Sequence, residues 1–367
     1  MTTAGFAWAE LLGGDPRPWI ASSDEPAARW VLATQVLGEP ADDVRRQVLA
    51  DAATQRLVDR LPDWEAGDPL AGHNSVAFAP NLLNLLADMG VRGGDDEQVE
   101  RLLDRMLAHQ EDNGRFPSYA ARRLTDAPVW GALLCDAHAV AEVLVRFGRE
   151  RDPRVRAALR RMEDDLTGTA QGRAWPCIPH PVHGFRGPGR ASDFCPQVTL
   201  QALRTFAGLP AGDQPAGLLG VASVSLAAWR RRGTEKPYMF GHGRGFKTIK
   251  WPPTWYSVYA LLDTLGRYPA LWRAEDARPE NRRALAELLA CLVTYNRGPG
   301  GAVVPRSVYR GLADFSWGQK KRPSAFATAR VLAVLVRFDD LAEDAAAVDV
   351  RRLPSSKGGS GTALPPP

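Results

Sequence analysis

One apolar pattern, close to LxxLLxxxG, recurs six times along the chain and constrains its fold more than any other feature. The copies are WVLATQVLG (30–38), LLNLLADMG (82–90), VAEVLVRFG (140–148), LQALRTFAG (200–208), VYALLDTLG (258–266) and TARVLAVLV (328–336), with starts 52, 58, 60, 58 and 70 residues apart. Their spacing is helical. Between the copies lie segments with one polar face, such as DDEQVERLLDRMLAHQ, PRVRAALRRMEDDL and NRRALAELLACLVTY. Each period therefore reads as a helical hairpin, in which a helix that is apolar on several faces alternates with one that keeps a solvent side.

Six hairpins closing on themselves give an all-α fold, an (α/α)6 toroid. The open alternative, a superhelix of helix pairs, has a usual period of about 40–47 residues, shorter than the one in this chain. Pro26, Pro80, Pro196, Pro253 and Pro323 precede or open a recurrent helix, where a missing N–H costs nothing. Parallel inner helices would present their positive dipole ends at one mouth. Three long connectors lead there, into the fourth, fifth and sixth copies, and loops of that length are usually functional. The expected organisation is one toroid domain over residues 1–353, followed by a disordered Gly-, Ser- and Pro-rich tail, 354–367.

Composition bounds the function. Of 367 residues, 45% are hydrophobic and 24% charged, which suits a large buried core. Lys+Arg number 46 against 42 Asp+Glu, a net charge of +4, and the arginines are dispersed, so a nucleic-acid partner is not expected. No stretch approaches the roughly 20 apolar residues of a membrane span, and the first residues lack a basic start before an apolar core. The expectation is a cytoplasmic protein without an integral membrane segment. Four cysteines, Cys135, Cys177, Cys195 and Cys291, are too few for a disulfide framework in so long a chain and read as core residues, ligands or reactive thiols.

The six-hairpin pattern, with turns such as HQEDNGRFPSY after an outer helix, resembles the prenyltransferase and squalene-cyclase repeat proteins from about Trp30 to Phe338, and within them an uncharacterised bacterial branch. The resemblance implies a terpenoid-cyclase-like α/α toroid handling an isoprenoid or other apolar ligand with an anionic head. It implies no protein partner by itself. The protonating Asp-x-Asp-Asp of class II cyclases is missing, as is the Asp-Asp-x-x-Asp magnesium motif; Asp339-Asp340-Leu341-Ala342-Glu343 is a loose approximation after the last copy. Asp193-Phe194-Cys195 at the start of the fourth recurrent helix is similar to the Asp-x-Cys that supplies two zinc ligands in protein prenyltransferase β subunits. The family's later histidine ligand has no counterpart in Arg322–Ala327.

Register adds evidence independent of any family. Cys135 and Cys195 each lie five residues before a repeat start, and the connector between them carries Cys177, His180 and His183. Cys135, Cys177, His180, His183 and Cys195 are the expected zinc ligands, since thiolates and imidazoles complete a tetrahedral site. The competing reading makes these cysteines small apolar core residues, with Cys291 the plainest case. A thiol activated by His138 or His183 is a third. His73, before the second recurrent helix, could reach the same mouth.

The fifth and sixth connectors bring Lys247, Lys250, Trp251 and Trp255, then Lys320, Lys321 and Arg322, the candidate ligand-binding residues. Cations beside aromatic faces suit a diphosphate head on an isoprenoid chain. Asp193, Cys195 and Tyr256 are the candidate catalytic side chains. Two alternatives stand beside this reading. One is a non-catalytic toroid with structural zinc that binds a ligand or protein partner. The other is a carbohydrate-active (α/α)6 enzyme needing two facing carboxylates among Asp136, Asp193, Asp263 and Asp314.

Overall fold

The computed structural model describes residues 6–65, 70–121, 126–187, 190–236 and 240–356. The described part is mainly helical. All six copies of the repeat lie on helices: Pro26–Val31 continued by a π-helical Leu32–Leu37, then Ala79–Met89, Leu134–Arg146, Pro196–Ala207, Val258–Leu265 and Ala325–Leu335. Proline sits in the first turn of the first, second and fourth of these, where its ring already fits the helical backbone. The intervening helices include Glu97–Ala108, Pro153–Asp164, Leu218–Arg230 and Pro279–Asn296. Glu97–Ala108 buries Val99, Leu102, Leu103, Met106 and Leu107, one face at helical spacing, and is capped by Asp96, whose side chain accepts the N–H groups of Gln98 and Val99.

The first intervening segment is not one helix. It divides into Asp42–Ala50 and Ala52–Val58 at Asp51, whose extended backbone ends one helix and whose carboxylate caps the next. The described residues also hold short strand pairs: Ser118–Ala120 with Val129–Gly131, Thr167–Thr169 with Gly172–Ala174, and a parallel pairing of Lys250–Trp251 with Ser307–Val308. Of the tail expected over 354–367, residues 357–367 lie outside the described residues.

The chain packs as two compact units. One runs from Glu39 to Leu218; the other joins the residues up to Gly38 with those from Leu219 onward. In the Glu39–Leu218 unit the third recurrent helix packs against both the second and the fourth. Glu142, buried on the third, receives Arg204 of the fourth through contacts of 2.7 and 3.0 Å, which offsets the cost of taking its charge out of water.

In the discontinuous unit the sixth recurrent helix packs against the first and the fifth. The N-terminal segment is tied in by Trp8, fully buried, whose indole donates to Asp339 at 2.8 Å. It also approaches Gly301 at backbone distance. Gly301 has φ of +81°, and a Cβ there would lie 2.6 Å from the Gly14 carbonyl oxygen. Gly301→Ala is therefore expected to cost at least about 1 kcal/mol in denaturant unfolding. Gly245→Ala, with open space around the added carbon, should stay within about 0.5 kcal/mol.

Candidate functional site

The third recurrent helix begins at Leu134, so Cys135 and Asp136 occupy its first turn, at the positive end of the helix dipole. Asp136 is fully buried, Cys135 partly so. The loop before the second recurrent helix lays His73 against them: its Nδ1 is 2.9 Å from Asp136 Oδ1 and 3.3 Å from Cys135 Sγ. Surrounding groups fix this arrangement. Ser118, on the first strand of the hairpin that precedes the helix, donates to Asp136 Oδ2 at 3.1 Å. Asn81 clamps the loop by donating to the carbonyls of His73 (3.0 Å) and Ser75 (2.7 Å). Gln201, from the fourth recurrent helix, donates to the Cys135 carbonyl at 3.2 Å.

The other expected ligands of this unit are placed differently. Among the described residues, no three of Cys135, Cys177, His180, His183 and Cys195 bring ligand atoms within 4.8 Å of one another; the one such triplet is His73, Cys135 and Asp136. Cys195 caps the fourth recurrent helix and its N–H bonds the Trp175 carbonyl at 2.8 Å. Burial outweighs the helix end and pushes its thiol up to about 12, so it is a neutral thiol at physiological pH. Cys177 is partly exposed on the adjoining connector, which Pro176 pairs with Phe194. His180 Nδ1 accepts the N–H groups of Val182 and His183, and the rings of His180 and His183 stack at 5.0 Å. Its Nε2 lies where a side chain at Gly131 would sit.

Asp193, 2% exposed, is held by the Arg190 guanidinium at 2.8 and 3.1 Å and by Gln171 at 2.9 Å. Asp263 is likewise bound, by Arg337 at 2.9 Å and Arg267 at 3.5 Å. His138 is a core histidine: its Nδ1 faces the Val198 carbonyl at 3.4 Å, and burial lowers its pKa to about 4.

In the discontinuous unit Tyr256 is buried, with its hydroxyl 2.9 Å from His242 Nε2. Desolvation raises the phenol well above its ordinary value. It also lowers His242 to about 4, with further lowering from Arg232 and Lys247. Trp251 is buried edge-on against Phe326 at 5.5 Å, and Trp255 tilts on Phe240 at 5.5 Å. Two connectors that the sequence shows separately meet here, since Lys250 pairs with Ser307, Trp251 with Val308, and the Lys321 N–H donates to the Pro305 carbonyl at 3.0 Å. Lys250 Nζ sits 3.8 Å from the Tyr309 ring centre, while Lys247 lies 5.4 Å from that of Tyr295. Lys320, Lys321 and Arg322 are exposed. Among the described residues, Lys250 and these three cations have no carboxylate within salt-bridge reach.

No protein-family model matches the chain, and no curated protein matches it in sequence. Solved structures do. The chain is 19% identical to the type II terpene cyclase MstE from Scytonema, over 91% of this chain and 97% of that one, with a TM-score of 0.42. A single-residue variant of MstE, in complex with its substrate geranylgeranyl dihydroxybenzoate, gives 18% identity, coverage of 91% and 98%, and a TM-score of 0.42. A protein from Actinoplanes gives 15%, 85% and 89%, with 0.39. No helix among the described residues is long and apolar enough to cross a membrane.

Proposed function

We propose that the chain is a terpenoid-cyclase- or prenyltransferase-like protein that takes an isoprenoid, or another apolar ligand with an anionic head, with zinc as its cofactor. In this reading the six hairpins close as an (α/α)6 toroid. The regular period supports closure, and so does the packing of the sixth recurrent helix on the first.

The observation that carries the ligand class is the meeting of the fifth and sixth connectors in the discontinuous unit. There Lys250, Lys320, Lys321 and Arg322 stand without acidic partners among the described residues, Lys250 against the Tyr309 ring. Cations spared from internal ion pairs remain available to phosphate oxygens, and the neighbouring rings favour both a cation and an apolar chain. Trp251, buried, pairs with Val308 at the same junction, and Lys247, Trp255 and Tyr256 complete the ligand-binding set in this reading.

The test is calorimetric titration of the full chain with geranylgeranyl diphosphate and with inorganic diphosphate. Both are expected to bind, the prenyl compound more tightly. A charge-assisted hydrogen bond contributes about 1.5–3 kcal/mol, so Lys250→Ala/Lys321→Ala should weaken binding at least about tenfold. Failure of the unaltered chain to bind either compound would sink the reading, as would a double variant that binds equally well.

A further inference from the structure

We propose that His73, Cys135 and Asp136 form a zinc site within the Glu39–Leu218 unit, bound through His73 Nδ1, Cys135 Sγ and one carboxylate oxygen of Asp136. It takes zinc as the metal from the proposed function, but it stands on different residues from the anion-binding face.

The first argument is convergence. The three ligand atoms all lie within 4.8 Å of one another, and two of the separations are 3.3 Å (sulfur to nitrogen) and 2.9 Å (nitrogen to oxygen). With Zn–S of about 2.3 Å and Zn–N or Zn–O of about 2.0 Å, a tetrahedral ion sets its sulfur and nitrogen ligands about 3.5 Å apart and its nitrogen and oxygen ligands about 3.3 Å apart. The two observed separations lie within a few tenths of an ångström of these values.

The second argument is that thiol and carboxylate address the same imidazole nitrogen. A Cys–His–Asp relay would place them on opposite ring nitrogens, so that one accepts the thiol proton while the other is oriented by the carboxylate. Here a single Nδ1 faces both, and it has one proton or one lone pair to offer. A cation between the three would accept a lone pair from each of them.

The surroundings match what a metal requires. Ser118 holds the second carboxylate oxygen, Asn81 fixes the backbone of His73 and Gln201 that of Cys135, an outer layer that orients ligands before metal arrives. Both Cys135 and Asp136 sit in the first turn of a 13-residue helix, so their side chains leave the backbone at a fixed spacing. A mixed sulfur, nitrogen and oxygen set suits zinc and not magnesium or calcium, which take oxygen. Among the described residues the set stops at three.

The test uses the full chain without a histidine tag. Zinc is measured by elemental analysis, and the metal-free protein is titrated with cobalt(II). About one zinc per chain is expected, together with a thiolate-to-cobalt charge-transfer band in the near ultraviolet. Both should be lost in Cys135→Ser and kept in Cys195→Ser; Asp136→Asn and His73→Ala should lower cobalt affinity at least about tenfold. A correctly folded wild type that binds neither metal overturns the proposal, and this holds even where a variant fails to fold. Metal retained by Cys135→Ser but lost in a Cys177→Ser/Cys195→Ser protein overturns it too. A protein that binds diphosphates yet no metal would leave the anion-binding face standing while the zinc site falls.

Discussion

Replacing Trp229 by alanine is expected to destabilise the protein by about 3–5 kcal/mol, the range for removing a fully buried tryptophan. The ring is held on every side. Phe246 stacks at 5.9 Å, His242 meets it edge-on at 5.7 Å, and the Arg232 guanidinium lies 3.7 Å from its centre. The indole N–H donates to Glu287 at 2.9 Å, and the same carboxylate oxygen accepts from Arg232 at 3.1 Å. Alanine would open a cavity beneath an arginine whose side chain is only 3% exposed. Trp229→Phe keeps most of the ring and loses the donor, for an expected cost of about 1–3 kcal/mol. Urea unfolding of both variants checks the pair, and an alanine variant that unfolds at the wild-type urea concentration would mean that the cluster tolerates collapse.

The second large effect is acid sensitivity from the same cluster. Burial, then Arg232 and Lys247, hold His242 near 4, against an ordinary value of 6.5. Tyr256 faces it at 2.9 Å through a hydroxyl that stays protonated throughout this range. The folded chain therefore keeps a neutral imidazole while the unfolded chain takes up a proton. The stabilisation is complete above about pH 6.5 and is lost as pH falls towards 4, by about 3 kcal/mol at the lower end. Followed from neutral pH down to the folded-state pKa, the unfolding free energy of the wild type should fall by about 3 kcal/mol more than that of His242→Gln. Parallel curves for the two proteins would contradict a neutral buried His242.

The repeat was legible because its signal is long and redundant. Each recurrent helix buries residues on several faces, Ala325–Leu335 along its entire length, so the apolar spacing had to show. Features that depend on one residue were less visible. Asp51 interrupts an apolar pattern that runs on smoothly through residues 41–61, because a cap acts through its own backbone and leaves the periodicity untouched. The hairpin strands at Ser118 and Val129 are three residues each, too short to show alternation.

The same contrast holds at the site. Cys135 was readable as a ligand from its register, and Asp136 as a carboxylate near a recurrent helix, but no spacing links them to His73, 62 residues before Cys135. Their meeting is made by a loop that Asn81 clamps, a tertiary fact. Cys195 carries the opposite lesson. A helix N-terminus suggests an activated thiol, yet complete burial costs the thiolate more than the dipole returns. The basic connectors were readable as meeting at one mouth, while the two-residue strand pairing of Lys250 with Ser307 that joins them was too short to show.

The division of the chain has a consequence for its synthesis. The first 38 residues belong with those from Leu219 onward, and the whole of the other unit lies between them in sequence. On a ribosome the Glu39–Leu218 unit can finish folding as it emerges, whereas Trp8 and the first recurrent helix wait for Asp339 and for the helix Ala325–Leu335. The nascent protein must therefore carry an unsatisfied amino-terminal segment, rich in large apolar side chains, for most of its production. That waiting interval is when chaperone engagement would matter most, and a circular permutant opened between Gly38 and Glu39 would abolish it.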